Sequence, residues 1–450
     1  MKVHFFLFSF IFLSCEYFAQ TGVCFLPSTY NVSPGYNTET IISEDFNNDG
    51  KMDLATADMS VYKLSLFLGN GNGTFSTAVN FNSGTLPSYL ASSDFNSDGN
   101  KDVVIADLAG GISIHLGTGT GSFSAVTNYT TTYTNPAGIN IGDYNGDGKK
   151  DIAIGNFNNA SVSVLLNAGS GTFPVSTDHT LTANPGSLAS ADFNGDGRSD
   201  IAALIPSNSL SVLISNGTGF NSAMVYTLNP SVNKIISGDF NSDGKIDLVI
   251  SHGSPASISF LPGMGNGNFS PVISSTTSIS PVELEAGDFN NDGKLDLASS
   301  NSSTNTNVFC MLGNGAGNFS VAATFSLGST PTSLTSQDFN GDGRRDLATC
   351  QYSNLKYSVL MNCLGVGIEE NKQTTSQIIY PNPNNGRFFI NAENDREITI
   401  TNLIGQKILS QNLEVGSNHI EMSDQPGGIY ILAIKNGNLS DPKQIKIIKE

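Results

Sequence analysis

One nine-residue element recurs seven times and leaves few folds open to this chain. It begins at Asp45 (DFNNDGKMD), Asp94 (DFNSDGNKD), Asp143 (DYNGDGKKD), Asp192 (DFNGDGRSD), Asp239 (DFNSDGKID), Asp288 (DFNNDGKLD) and Asp338 (DFNGDGRRD). Successive starts lie 49, 49, 49, 47, 49 and 50 residues apart. A fixed period of this length marks a repeat architecture, in which each unit is one supersecondary element that stacks on its neighbours.

Each unit repeats more than the loop. An apolar run follows its last Asp, as in Val103-Val104-Ile105 and Ile152-Ala153-Ile154. An alternating stretch comes next, such as Ser161-Val162-Ser163-Val164-Leu165-Leu166, and then a glycine-rich turn such as Gly69-Asn70-Gly71-Asn72-Gly73. A Phe opens a further strand (Phe75, Phe123, Phe173, Phe220, Phe269, Phe319), and a last stretch leads into the next Asp loop. Four short strands per unit is the pattern of a propeller blade. The expectation is an all-β chain, with a seven-bladed β-propeller over residues 21–363 followed by a small β-sandwich. A parallel β-helix is the rival, but its rungs are usually shorter than these units. Composition agrees: charged residues are 13%, Gly numbers 47 and Trp is absent, which suits short strands and tight turns.

The loop has its own chemistry. Positions 1, 3, 5 and 9 are Asp, Asn, Asp and Asp in all seven copies, and position 6 is Gly. Calcium takes six to eight hard oxygen ligands in flexible geometry. Short Asp and Asn side chains on alternate residues of a tight loop can converge to supply them, with the carbonyl of position 7 and water completing the set. Gly at position 6 permits the positive φ of a sharp turn. Asp, Asn and Gly also favour plain polar turns, and one such loop alone can be only that. Seven copies with three crowded carboxylates each call for a cation. The expected ligands are Asp45, Asn47, Asp49 and Asp53; Asp94, Asn96, Asp98 and Asp102; Asp143, Asn145, Asp147 and Asp151; and Asp192, Asn194, Asp196 and Asp200. The last three loops add Asp239, Asn241, Asp243 and Asp247; Asp288, Asn290, Asp292 and Asp296; and Asp338, Asn340, Asp342 and Asp346. The aromatic at position 2 (Phe46, Phe95, Tyr144, Phe193, Phe240, Phe289, Phe339) is expected to pack between blades.

The loops hold 21 of the 39 acidic residues and explain most of the formal charge of −18. Seven Ca2+ ions, two charges each, would leave −4. The acidity then belongs to metal sites rather than to a surface seeking a basic partner, and it argues against nucleic acid and anionic membranes.

The D-F-N-x-D-G-x-x-D loop and its blade context resemble FG-GAP/VCBS repeats, the type also found in integrin α-subunit propellers, over roughly residues 25–362. The resemblance implies that the loop joins the first and second strands of a blade and binds calcium. It also implies that the glycine-rich turn joins the third and fourth. The last unit stops at its third strand near Met361, so residues 25–32 are expected to complete the seventh blade, Phe25 standing before Asp45 as Phe75 stands before Asp94. Cys24 and Cys363 then flank the one hairpin turn the chain lacks, and a disulfide between them would replace it. Cys310 and Cys350 are expected to be buried thiols.

The ends carry targeting signals. Residues 1–20 read as a signal peptide, with Lys2 before the apolar run Phe5 to Leu13 and a small-residue cleavage zone at Ala19-Gln20. A lipoprotein reading at Cys15 is a poorer match. No later segment is apolar enough to span a bilayer. Residues 364–377 read as a linker. Tyr380-Pro381-Asn382-Pro383, Asn402-Leu403-Ile404-Gly405-Gln406, Gly428-Ile429-Tyr430 and Lys446-Ile447-Ile448-Lys449 together resemble the type A C-terminal sorting domain of type IX secretion, over residues 378–450. That resemblance implies the type IX machinery as a partner and a secreted or outer cell-surface location.

Signs of catalysis are few. His115, His179, His252 and His419 fall in different units, and no G-x-S-x-G elbow or phosphate loop is present. Tyr89, Tyr129 and Tyr133 are candidates for sugar contact. Three functions stay open: a surface binding or adhesion module for a protein or glycan, a carbohydrate-active enzyme of the lyase type on a propeller scaffold, and a structural component of the cell surface. The first is preferred.

Overall fold

Each Asp loop runs directly into a strand that begins on the loop's own last residue. The computed structural model describes residues 23–31, 38–129, 135–301, 306–351, 356–363, 379–380, 385–392, 396–402, 406–426, 428–435 and 443–449. The expected signal peptide and linker, Tyr133, and the motif residues Pro381–Pro383 and Leu403–Gly405 lie outside them. The chain divides into two units, Met1–Leu364 and Gly365–Glu450. Among the described residues no helix is long and apolar enough to cross a membrane.

The first unit is a β-propeller. Its described residues form seven four-stranded antiparallel sheets. The first sheet runs Thr38–Glu44, Asp53–Asp58, Lys63–Phe67 and Val79–Asn82 in order from the inside outward. The second strand of each sheet opens on an apolar residue after its Asp, as in Asp102–Asp107 (DVVIAD), and is buried along all or nearly all of its length. Such burial suits a strand covered on both faces. The outer strands are more exposed, as in Val175–Thr180, though Phe319–Ser326 buries Phe319, Ala323 and Phe325. The inner strands lie side by side in cyclic order, the last (Pro331–Gln337) beside the first (Thr38–Glu44).

The ring closes with the two ends of the propeller sequence in one sheet. Pro331–Gln337, Asp346–Gln351 and Lys356–Asn362 are joined by Phe25–Asn31, which pairs antiparallel to Lys356–Asn362 from Phe25 opposite Asn362 to Asn31 opposite Lys356. Cys24 and Cys363 form a disulfide with Cα atoms 5.0 Å apart, within the reach such a bond needs. The Cys363 N–H also donates to the Cys24 carbonyl at 2.8 Å. Cys310 and Cys350 are buried thiols.

The position-2 aromatics form the joints between sheets. Phe46 meets Phe123 of the next sheet edge to face, with centroids 5.8 Å apart. The same edge-to-face contact recurs as Phe95–Phe173, Phe193–Phe269, Phe240–Phe319, Phe289–Phe25 and Phe339–Phe75, and Tyr144 meets Phe220 at a tilt. Each position-2 ring is at most 2% exposed. This joint corrects one expectation. The Phe after the glycine-rich turn does not always begin the fourth strand: Phe75, Phe123, Phe220 and Phe269 sit in isolated bridges, and regular pairing resumes a few residues later. Phe319, which makes the same cross-sheet contact, does open its strand, pairing with Gly313.

The second unit has two sheets. One holds Ile379–Tyr380, Arg387–Ala392 and Gly416–Glu421; the other holds Lys407–Leu413, Arg396–Asn402, Gly428–Lys435 and Lys443–Lys449. Alternate residues of both, including Phe388, Ile390, Ile398, Ile400, Leu432 and Ile447, form one apolar core. Lys449 is 8% exposed, and its ammonium donates to the Ser423 and Gln425 carbonyls.

Candidate functional site

The Asp loops organise themselves through their own backbone. In the first, Asp45 accepts the N–H groups of Asp49 (3.2 Å) and Gly50 (2.8 Å), Asn47 accepts that of Asp49 (3.0 Å), and Asp49 accepts that of Lys51 (2.9 Å). The last loop repeats the pattern with Asp338, Asn340 and Asp342. Gly50 has φ +81°, and nothing lies within 4 Å of where its Cβ would be. Backbone conformation, not space, therefore requires glycine there.

Position 9 does a different job. The Asp53 carboxylate is 0% exposed; one oxygen accepts the Phe46 N–H (2.9 Å) and the other the Gly69 N–H (2.7 Å). It ties the Asp loop to the start of the glycine-rich turn in the same sheet. Asp102, Asp151, Asp200, Asp247, Asp296 and Asp346 make the same pair of bonds in the other six sheets. Burial pushes these carboxyls up, with the carboxylates of positions 1 and 5 adding to it: Asp53, Asp102, Asp200 and Asp296 reach about 6 and Asp346 about 7. Among the described residues no group of three or more His, Cys, Asp or Glu side chains is drawn together as a closed metal cluster. What the loops present is an oxygen-only set of three carboxylates and an amide, which suits a hard cation.

A second feature lies at the inner strands. A cavity of about 400 Å3 is lined by the residue five places before each loop's first Asp, one from every sheet: Thr40, Tyr89, Gly138, Ser187, Lys234, Glu283 and Ser333. One place further on, every repeat has Ile or Leu (Ile41, Leu90, Ile139, Leu188, Ile235, Leu284, Leu334). These pack outward into the sheets, as strand alternation dictates. The core side of the strand is thus uniform, whereas the cavity side varies among Thr, Tyr, Gly, Ser, Lys and Glu, with only Ser used twice.

The cavity's charges are arranged. Lys234 pairs with Glu283 at 2.8 Å. Glu285, two residues along the same strand face, accepts the Ser336 N–H (3.0 Å) and hydroxyl (2.9 Å), while Arg345 donates to the Ser336 carbonyl and hydroxyl oxygens. Burial raises Glu285 to about 7 against the pull of Ser336, Arg345 and Lys234. Burial pulls Lys234 down, but Glu283, together with Tyr89 and Glu285, more than offsets it and holds the ammonium above its usual value.

The structure separates the other candidates. Tyr89 lines the cavity. Tyr129 packs edge to face on Phe173, whose N–H donates to its hydroxyl. His115, His179, His252 and His419 lie in separate strands or in the other unit. Sequence reading missed Lys234, Glu283 and Glu285. The signal for Lys234 and Glu283 was present in the strands before the loops, as charged residues at a position that elsewhere carries Thr, Tyr, Gly or Ser; Glu285 lies two places further on, where the other repeats carry Ile, Ala, Asn or Thr.

Models of the FG-GAP-like repeat match residues 45–105, 94–154, 143–203, 192–250, 239–299 and 288–349. Each window opens on one Asp loop and ends beyond the next, so the six take in all seven loops. The chain belongs to the FG-GAP-like repeat family. Behind its FG-GAP-like propeller, residues 378–450 match the secretion system C-terminal sorting domain. The chain is therefore an exported propeller with a type IX sorting tail. No curated protein matches it. Among solved structures, a lectin of Agrocybe aegerita, described as specifically recognising non-reducing terminal N-acetylglucosamine, is similar at 16% identity and a TM-score of 0.47, covering 72% of this chain and 87% of its own.

Proposed function

We propose that this FG-GAP-like protein is a calcium-binding propeller that acts outside the cell as a binding or adhesion module for a protein or glycan. One observation carries the binding reading. The seven Asp loops are uniform and serve the scaffold, whereas the cavity positions vary among Thr, Tyr, Gly, Ser, Lys and Glu, and the cavity bears the charges Lys234, Glu283 and Glu285. A purely structural ring has no use for that difference.

The calcium reading is supported by the donor set and by its charge. In each loop a fully buried carboxylate shares a small space with two more. Positions 1, 3, 5 and 9 and the carbonyl of position 7 would hold the ion, which would supply the positive charge that lets three carboxylates stay ionised together. Each position-9 oxygen uses one lone pair on a backbone N–H and keeps another.

The test is a glycan array and a panel of extracellular-matrix proteins, probed with the full chain in calcium and in EDTA, with a carbohydrate-lyase assay on any glycan that binds. Calcium-dependent binding without turnover is expected. Turnover would favour the enzyme, and no binding to either set would favour a structural component.

A further inference from the structure

We propose that the groove between the first two propeller sheets, at the end opposite the Asp loops, is a binding site for an alkylammonium or guanidinium group, with Asp107 as its anchor. This rests on the binding reading above but on a separate place in the fold. The groove measures about 340 Å3 and is lined by residues including Tyr62 of the first sheet, Gly84 in the connection to the second, and Asp107, Asn128 and Tyr129 of the second.

The first observation is the anchor's unmet bonding. Asp107 ends the second strand of its sheet and is 5% exposed. One carboxylate oxygen accepts the Ser113 hydroxyl at 3.0 Å, while the other is buried and has no hydrogen-bond partner. A buried carboxylate oxygen left unpaired is costly. Two other sheets show how this position can be satisfied: in the first, Asp58 accepts the Ser60 N–H at 2.8 Å and hydroxyl at 2.6 Å, and in the third Asn156 donates to the Ser161 and Ser163 hydroxyls at 3.0 and 2.8 Å. An amide closes the network there; at Asp107 an acceptor is left over.

The second is shape. A Cβ on Gly84 would fall 1.9 Å from the Asp107 carboxylate and 2.5 Å from the Ser113 hydroxyl. Glycine backbone thus lies flush on the acid, and the connection from the first sheet forms the wall over it. The third is the exposed tyrosine beside it. Tyr62 holds φ +55°, where non-glycine residues are rare, and is 47% exposed. The equivalent turn of the fourth sheet places Asn208 there, at φ +69°, a residue that tolerates this region. Ala160 of the third sheet is left-handed at the same turn, φ +48°, so the turn sets the backbone and what distinguishes this groove is the exposed tyrosine ring that the turn carries over it.

Charge decides the ligand class. Asp107 is the one carboxylate among the groove's described lining residues, and none of them is basic. Burial alone raises its carboxyl to about 6 against the Ser113 bond, with no charged neighbour contributing. The missing component is a donor that also carries positive charge, and the two tyrosine rings offer electron-rich faces to such a group. A free amine and a Lys or Arg side chain of a partner share this chemistry.

Calorimetric titration of the full chain in calcium tests it, with agmatine and n-butylamine as free cations, the peptides Gly-Arg-Gly and Gly-Lys-Gly as side-chain carriers, and methyl glucoside as a neutral hydroxyl probe. Agmatine or n-butylamine should bind one per chain with a Kd of about 1 mM or tighter. Asp107→Asn should weaken this about tenfold or more, and Tyr62→Asn severalfold. Both variants copy residues that other repeats already carry at these positions, and their melting curves check folding. A tighter peptide than free amine assigns the site to a partner's basic side chain; the reverse assigns it to a small amine. Equal binding to Asp107→Asn, no amine binding at all, or Asp107-dependent binding of methyl glucoside alone would overturn the proposal. Amine binding that persists with a blank array and protein panel would uphold this site and reject the adhesion reading.

Discussion

The ring of Phe25, in the first strand of the propeller, meets the ring of Phe289 edge to face with centroids 5.9 Å apart. Phe25 also stands edge-on to Phe325 at 5.3 Å and is 2% exposed. It therefore supplies, from the start of the chain, the aromatic joint that other sheets take from the residue after their glycine-rich turn. Phe25→Ala is expected to destabilise the propeller by about 3–5 kcal/mol, the range for losing a large buried aromatic. Its neighbour Leu26 is 55% exposed, so Leu26→Ala should stay within about 0.5 kcal/mol. Denaturant unfolding of the two variants checks the contrast, and similar midpoints would mean that the strand contributes only backbone pairing.

The Cys24–Cys363 bond spans 339 residues. Chain-entropy reasoning gives a cross-link over so long a loop about 4–5 kcal/mol, less any native strain. Replacing both cysteines by serine should lower the denaturation midpoint clearly, and mild reduction of the native protein should do the same. The thiols of Cys310 and Cys350 are buried, and burial drives Cys310 well above its usual range, so neither should react with a thiol reagent until the propeller unfolds. Loss of stability on reduction without release of these thiols would identify the disulfide as the cause.

The sheets were legible because the loop repeats. Seven copies fix the period, and the apolar residues after each last Asp mark the buried second strand. The aromatic joint was legible in part: the position-2 ring pointed between blades, but its partner Phe, a dozen or more residues beyond the same loop of the next repeat, reads in sequence as a strand's first residue. The carboxylates at position 9 look identical to those at positions 1 and 5 in sequence. Only the fold reveals that Asp53 faces inward onto the Phe46 and Gly69 N–H groups. Asp107 was hidden for another reason. An acid at a strand end is ordinarily solvated, and part of its cover is Gly84, in the connection from the first sheet to the second.

Metal removal gives the next test. With calcium in the loops, EDTA should lower the melting temperature by at least about 10 °C, since several sites bind the folded state and not the unfolded one. Calcium titration of the stripped protein should restore it with a stoichiometry near the number of loops. Magnesium should restore less, because it demands a smaller and more rigid octahedral cage. A melt indifferent to EDTA would leave the loops as hydrogen-bonded turns.

The cavity acid Glu285 makes a pH-dependent contribution whose sign can be worked out. Its carboxyl rises from 4.5 to about 7 on folding, chiefly through burial. Between those values the folded chain binds a proton that the unfolded chain releases, so this group's contribution to stability grows as pH falls from about 7 towards 4.5 and fades above 7. Glu285→Gln keeps the hydrogen-bond acceptor for Ser336 and removes the titration. The position-9 aspartates shift in the same direction, but they are present in both proteins and cancel in the difference. Lys234, Glu283 and Arg345, the charged groups around Glu285, likewise remain in both. Measured by denaturant unfolding in saturating calcium, wild type should therefore gain stability relative to Glu285→Gln as pH is lowered from 8 to 5, as this carboxyl's titration requires. A difference that stays flat would mean that Lys234 and Arg345 hold Glu285 ionised throughout, making the cavity a fixed cluster of charges rather than a titrating one.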